Sequence, residues 1–202
     1  MPNHCENKLY IRGPKDDLKT FQHFSRGFGW NWASPFDEEQ EPDYDNHCEL
    51  DLFKFIKPDN HAPRDYTAYG YGWCIDNHGT KWGCYDIDIH GGPYPSDDNL
   101  KPWDLIYSFQ TAWSPFNEYV FKTICKQFIN LDFLLKFYEG GCDFCGYYLY
   151  EDGEFDFNEQ TITDNIPIAF PDIDDENYDD KEDAYSNLES QFNIAWMSGE
   201  VY

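Results

Sequence analysis

What most constrains this chain is the source of its apolar bulk. Of its 202 residues 20% are aromatic, with 17 Phe, 16 Tyr and 7 Trp against only 2 Met. A core drawn from such a chain is built of rings, each burying a large area and needing a framework to hold its geometry. The mean hydropathy of -0.77 is as low as that of many disordered chains, but disordered segments are poor in aromatics. The sequence therefore describes a folded body with its charge outside, long enough to bury a core without staples. We expect one domain over residues 1–160 with an insertion at about 29–50. An acidic extension over 161–202 follows, packed on the same domain through a terminal amphipathic helix.

Periodicity gives the order of elements. Cys5 to Arg12 reads as a strand stopped by Gly13-Pro14, and Leu18, Phe21, Phe24 and Phe28 then recur at helical spacing, giving a helix over about 14–26. Leu52 to Ile56 reads as a short strand, and Trp73 to Asp88 as a hairpin turning at His78-Gly79. Leu105 to Trp113 alternates as a strand should. Ser114 then reads as a helix cap and Pro115 as a first helical residue, with Val120, Phe121, Ile124, Cys125 and Phe128 marking the buried face of a helix over about 116–128. A strand from Leu131 to Tyr138 precedes a hairpin whose arms, Gly146 to Tyr150 and Glu154 to Phe157, flank the turn signal Asp152-Gly153. Tyr185, Leu188, Phe192, Ala195 and Trp196 outline the terminal helix. The fold class is α+β: a βαββαβ antiparallel sheet with both helices on one face.

Charge narrows the partners. The formal net charge is -25, and it is uneven: residues 137–202 hold 18 acids and a single base, Lys181. Such a field repels nucleic acid and anionic lipid and attracts basic proteins. No run approaches the roughly 18 apolar residues of a membrane span, and the start, MPNHCENKLYIRG, lacks a basic stretch followed by an apolar one. Seven scattered cysteines make a poor disulfide framework and fit reduced thiols, so the expected compartment is the cytoplasm, that of the host if the chain is phage-encoded.

Motifs for chemistry are sparse. Cys142-Asp-Phe-Cys145-Gly146 has the spacing of a metal knuckle, but a closed zinc site needs four ligands, and His4-Cys5, His47-Cys48, Cys74 or Cys84 would have to supply the rest through tertiary folding. A redox role would place such a pair at the opening of a helix, and this one falls between strands. There is no GxSxG, Walker loop, GxGxxG or HExxH. The run DIDDENYDD lacks the glycine and final glutamate of a calcium loop. We expect no metal, no cofactor and no catalytic residue.

Four segments carry a resemblance. MPNHCENKLYIRGP at the start, DNHGTKWG at 76–83, SFQTAWSP at 108–115 and FYEGGCDFCGYY at 137–148 resemble the YubB-like ferredoxin-like family of phage- and plasmid-encoded proteins. The insertion at 29–50 departs from that pattern, as do His4 and His78, where tryptophan is expected. The resemblance implies a ferredoxin-like fold and a mobile-element setting, with no established activity.

Two candidate sites follow. The matched segments contribute Asn77, Thr80, Lys81, Trp82, Trp113, Ser114 and Glu139, which could line one groove with Lys81 as its cation and a tryptophan as a stacking surface; each also has an adequate structural task in a turn, core or cap. The second candidate is an acidic surface of Asp174, Asp175, Glu176, Asp179, Asp180, Glu182 and Asp183. It suits a non-enzymatic protein that binds a basic host protein, as a nucleic-acid mimic or as an inhibitor of a defence or DNA-binding protein. The alternative is a small-molecule or nucleotide-binding module, or an enzyme, using the groove.

Overall fold

The computed structural model describes residues 3–30, 32, 47–91 and 104–161. Six antiparallel strands form one sheet: β1 (His4–Arg12), β2 (Tyr85–Gly91), β3 (Asp104–Ala112), β4 (Asp132–Glu139), β5 (Phe144–Glu151) and β6 (Glu154–Thr161), in the spatial order β2-β3-β1-β4-β5-β6. Three helices join them: α1 (Lys15–Ser25), α2 (Tyr71–His78) and α3 (Glu118–Gln127). β1, α1, β2, β3, α3 and β4 supply the βαββαβ order, and the β5–β6 hairpin widens the sheet beyond β4. Asp152 at φ 52 and Gly153 at φ 86 close that hairpin, the left-handed pair that matches strand twist across a two-residue loop.

Both long helices lie on one face, as expected. In β1 the odd residues Cys5, Leu9 and Ile11 are buried while Glu6 and Lys8 are exposed, and the register puts Leu9 beside Tyr107 and Leu135, and Leu135 beside Tyr148. Against this row α1 lays Phe21, 6.0 Å from Tyr107 and 5.6 Å from Phe133 by ring centroid. α3 lays Phe121 5.6 Å from Tyr148, and Phe21 meets Phe128 at 5.1 Å. The core is thus an aromatic layer between sheet and helices, with Cys125 fully buried in it.

Three local expectations are corrected. Leu52–Lys54 is a single tight helical turn rather than a strand: the buried Asp51 carboxylate accepts from the Phe53 and Gly29 amides and curls the chain before it can extend. The expected hairpin over 73–88 is α2 followed by β2. His78-Gly79 ends a helix here, with Gly79 at φ 79 donating to the Cys74 and Ile75 carbonyls, and a Cβ on Gly79 would stand 2.7 Å from Asn117. Helix α3 is capped not by Ser114 but by Asn117, whose side chain accepts from the Val120 amide, because the Ser114 hydroxyl is committed to the Gly79 carbonyl at 2.6 Å. The terminal helix, most of the insertion and the acidic residues 174–183 lie outside the described residues.

Candidate functional site

The corner where α2 ends against the end of β3 gathers most of the expected groove. Thr80 is fully buried, and its hydroxyl donates to the Ala112 carbonyl (3.0 Å) and accepts from the Ala112 amide (3.1 Å). Asn77 donates to the Trp73 carbonyl, and its own carbonyl accepts from Asn117. Ser114 ties to Gly79. Thr80, Ser114 and the Asn77 backbone carbonyl therefore pin the α2–β2 connection to the β3–α3 connection, while the Asn77 amide nitrogen bonds back within α2. The structural reading of Asn77, Thr80 and Ser114 is the one the geometry supports.

The pinning presents Lys81, Trp82 and Trp113 as a group. The Lys81 ammonium stands 4.5 Å from the Trp82 ring centroid, 5.3 Å from Trp113 and 5.8 Å from Tyr71, so three ring faces stabilise one cation. Tyr66 holds the backbone of this lysine by donating its hydroxyl to the Lys81 carbonyl at 2.6 Å, and burial pushes that phenol up to about 12. Trp113 has φ 71, a left-handed conformation that costs a bulky residue about 1 to 3 kcal/mol and is met only where surroundings impose it. They do so here: the Trp113 amide donates to the Asn3 carbonyl, and the Thr111 hydroxyl to the Ser114 carbonyl, on either side of the bend. Tyr71 and Trp113 remain 38% and 36% exposed, so part of each ring is open to a partner. Tyr71 was not legible as a member of this site, since it falls in a Gly- and Tyr-rich stretch without period; its only sequence signal is the local density of rings.

Glu139 does not join them. It ends β4, with β1 between it and β3 in the sheet, and its buried carboxylate accepts from the Gly141 and Cys142 amides, shaping the β4–β5 turn. Cys142 is exposed in that turn and Cys145 is buried in β5. The Cys142 thiol is pushed up mainly by its hydrogen bond with Glu139, and Cys145 is pushed up to about 11 by burial. Both hold their protons near neutrality, the reverse of what a thiolate nucleophile needs.

A feature missed at the sequence level lies on the sheet face away from the helices. A cavity of about 210 Å³ opens there, lined among others by Glu6, Lys8, Asp86, Asp88, Gln110 and Lys136. Lys8 and Lys136 are direct partners across β1 and β4, and Lys136 is almost fully buried with its ammonium 5.7 Å from the Tyr10 ring. Strand alternation could have put Lys8 on this face, but not Lys136, which stands in the apolar run Phe133 to Phe137.

The described part of the acidic half is the β5–β6 hairpin. Glu151 pairs with Arg12 at 2.7 Å, and Asp156 accepts from the Tyr147 hydroxyl at 2.7 Å. Among the described residues, Asp152, Glu154 and Glu159 make no ion pair.

Residues 95–165, reaching from before β3 to the end of β6, match the family model described as the ferredoxin-like domain in Api92-like protein. Among solved structures, the crystal structure of the protein api92 from Yersinia pseudotuberculosis superposes with a TM-score of 0.54, covering 79% of this chain and 98% of that one at 9% identity. At that identity the likeness shows the fold alone. No curated protein matches the chain. The expected ferredoxin-like fold class is thus met, and the model that matches, over residues 95–165, is that of Api92-like proteins.

Proposed function

We propose that this is a non-enzymatic binding protein of a mobile element, and that it engages a basic host protein through its acidic surface, as a nucleic-acid mimic or inhibitor does. The observation that carries the proposal is charge placement: residues 137–202 contain 18 acids and one lysine, and they include an edge hairpin whose Asp152, Glu154 and Glu159 make no ion pair among the described residues. Carboxylates on a fixed framework meet a basic surface without reorganising, and they accelerate encounter in a salt-dependent way. The test is a pull-down from host cytosol at low salt and at 1 M, where screening shortens the electrostatic range to about 3 Å. It is repeated with Asp174, Asp175, Asp179 and Asp180 changed to Asn. Retention of a basic nucleic-acid-binding protein at low salt only, and its loss in the variant, supports the reading.

One observation favours the second reading, a groove that takes a small molecule or nucleotide: the Lys81 ammonium among Tyr71, Trp82 and Trp113, with Trp113 in a left-handed conformation. A flat ligand with an anionic group would stack on the open rings and face the ammonium. A partner held equally at both salts and lost in Trp113→Ala would replace the first reading by this one.

A further inference from the structure

The two edges of the sheet are protected differently. At the β2 edge the pairing slips between Tyr85 and Asp88, and Asp86 turns left-handed at φ 49, a bulge of the kind that spoils an edge for further pairing. β6 has no such break. Its eight residues pair one to one with β5, from Phe144↔Thr161 to Glu151↔Glu154, and the strand contains neither proline nor lysine. Among the described residues no strand pairs with its outer side.

The register also says which backbone groups face outward. A two-residue loop makes Glu151↔Glu154 the hydrogen-bonded pair next to the turn, and antiparallel pairs then alternate. Glu154, Asp156, Asn158 and Gln160 consequently bond to β5, while Phe155, Phe157 and Glu159 point their N–H and C=O groups away from the sheet. The charged side chains of β6 itself are all acidic: Glu154 and Asp156 on the face away from the helices, and Glu159 on the helix face beyond the half-buried Phe155 and Phe157, over which the Lys122 ammonium of α3 stands at 6.0 and 4.5 Å. A second copy adding its own β6 here would bring carboxylate against carboxylate, which is unfavourable. A basic strand would not.

We infer that the outer edge of β6 is a strand-addition site for an extended basic segment of a partner protein. Its main chain bonds to Phe155, Phe157 and Glu159, its cations meet Glu154 and Asp156, and its apolar side chains cover Phe155 and Phe157. Strand addition draws affinity from main-chain hydrogen bonds and selectivity from alternate side chains; here the selectivity is for alternating basic and apolar residues. The inference rests on the basic-partner reading and adds where and in what conformation that partner binds.

The test uses the full chain and a synthetic peptide of about nine residues alternating Lys and Val, beside a control of equal charge interrupted by two prolines. Amide hydrogen exchange at Phe155, Phe157 and Glu159 should slow with the first peptide and not with the control. Glu159→Pro, which removes an outward donor at a position where an edge strand tolerates proline, should bind about tenfold more weakly than Glu159→Gln, a loss of about 1.4 kcal/mol. If both peptides bind alike without protecting β6, strand addition is overturned while the basic-partner reading stands. If neither they nor polylysine binds at low salt, both are overturned. Protection of β6 by the protein's own self-association, without peptide, would overturn the choice of occupant.

Discussion

The corner around α2 and the hairpin at β6 are built by opposite rules. At the corner almost every polar atom is committed: Thr80 to Ala112, Ser114 to Gly79, Asn117 to Val120 and Asn77, and the rings stand where those bonds put them. At the hairpin the charged groups of Asp152, Glu154 and Glu159 are left to water, and the shape is held by the backbone ladder and the rows of rings under it. The first arrangement fixes geometry at the expense of free polar groups. The second leaves free charge on a fixed strand. Substitution should therefore disturb stability at the corner and binding at the hairpin.

The largest expected effect is at Thr80. Thr80→Val keeps the shape but leaves a buried N–H and a buried C=O of Ala112 without partners, at about 1 to 3 kcal/mol each. We expect about 3 kcal/mol of lost stability in urea unfolding, accompanied by altered tryptophan emission. A loss under 1 kcal/mol would mean that the corner is not held as described.

His78 tests the same region by pH. It is fully buried, its Nε2 lies 2.8 Å from the Ile56 carbonyl, and burial pulls its pKa down to about 4. In the unfolded chain it takes a proton near 6.5. The unfolded state therefore binds more protons between those values, so the contribution of His78 is complete above about pH 6.5 and falls away as pH drops towards 4, by about 3 kcal/mol in total. In His78→Gln that slope should be absent, which unfolding curves at pH 7, 5.5 and 4.5 would show.

A smaller effect attaches to Lys81. Lys81→Met keeps a long apolar stem among Tyr71, Trp82 and Trp113 and removes only the cation, so the cost should be about 0.5 to 1 kcal/mol, with a shift in tryptophan fluorescence. The smallest change in stability belongs to the hairpin. Neutralising Asp152, Glu154 and Glu159 together should move the unfolding midpoint by less than about 0.5 kcal/mol, yet weaken low-salt binding of a basic peptide. A large loss of stability there would erase the contrast between the two regions.

Much of this was legible in the sequence, and the exceptions have physical causes. β1, α1, β3, α3, β4 and the β5–β6 hairpin each announce themselves by a period or by a turn residue whose conformation is nearly forced, Asp152-Gly153 above all. α2 does not, because only Cys74 and His78 are buried on it, a stripe too short to establish a helical period. Gly79 reads equally as a hairpin turn, because the same left-handed glycine serves a hairpin and a helix end. At the candidate site, Lys81, Trp82 and Trp113 converge as expected, whereas Glu139 does not, since a strand's place in the sheet order is set by pairings over more than a hundred residues. Lys136 was hidden for a simpler reason: a lysine within an apolar strand gives no sign of what will cover it.

Those long pairings bear on how the chain comes into being. β1 is a central strand, and Leu9 finds its neighbours only in Tyr107 and Leu135. During synthesis at about 5 to 20 residues per second, β1 waits on the order of 5 to 20 s for β3 to emerge. Throughout that interval the sheet has no centre, and Cys5, Leu9 and Ile11 can lie against Leu18 and Phe21 of α1 but have no strand beside them. Loop closure over such a separation is the slow step in assembling sheets of this kind. Acids outnumber bases between β1 and β3, so the unfinished chain carries a net negative charge, which disfavours association of nascent copies while the middle of the sheet is missing.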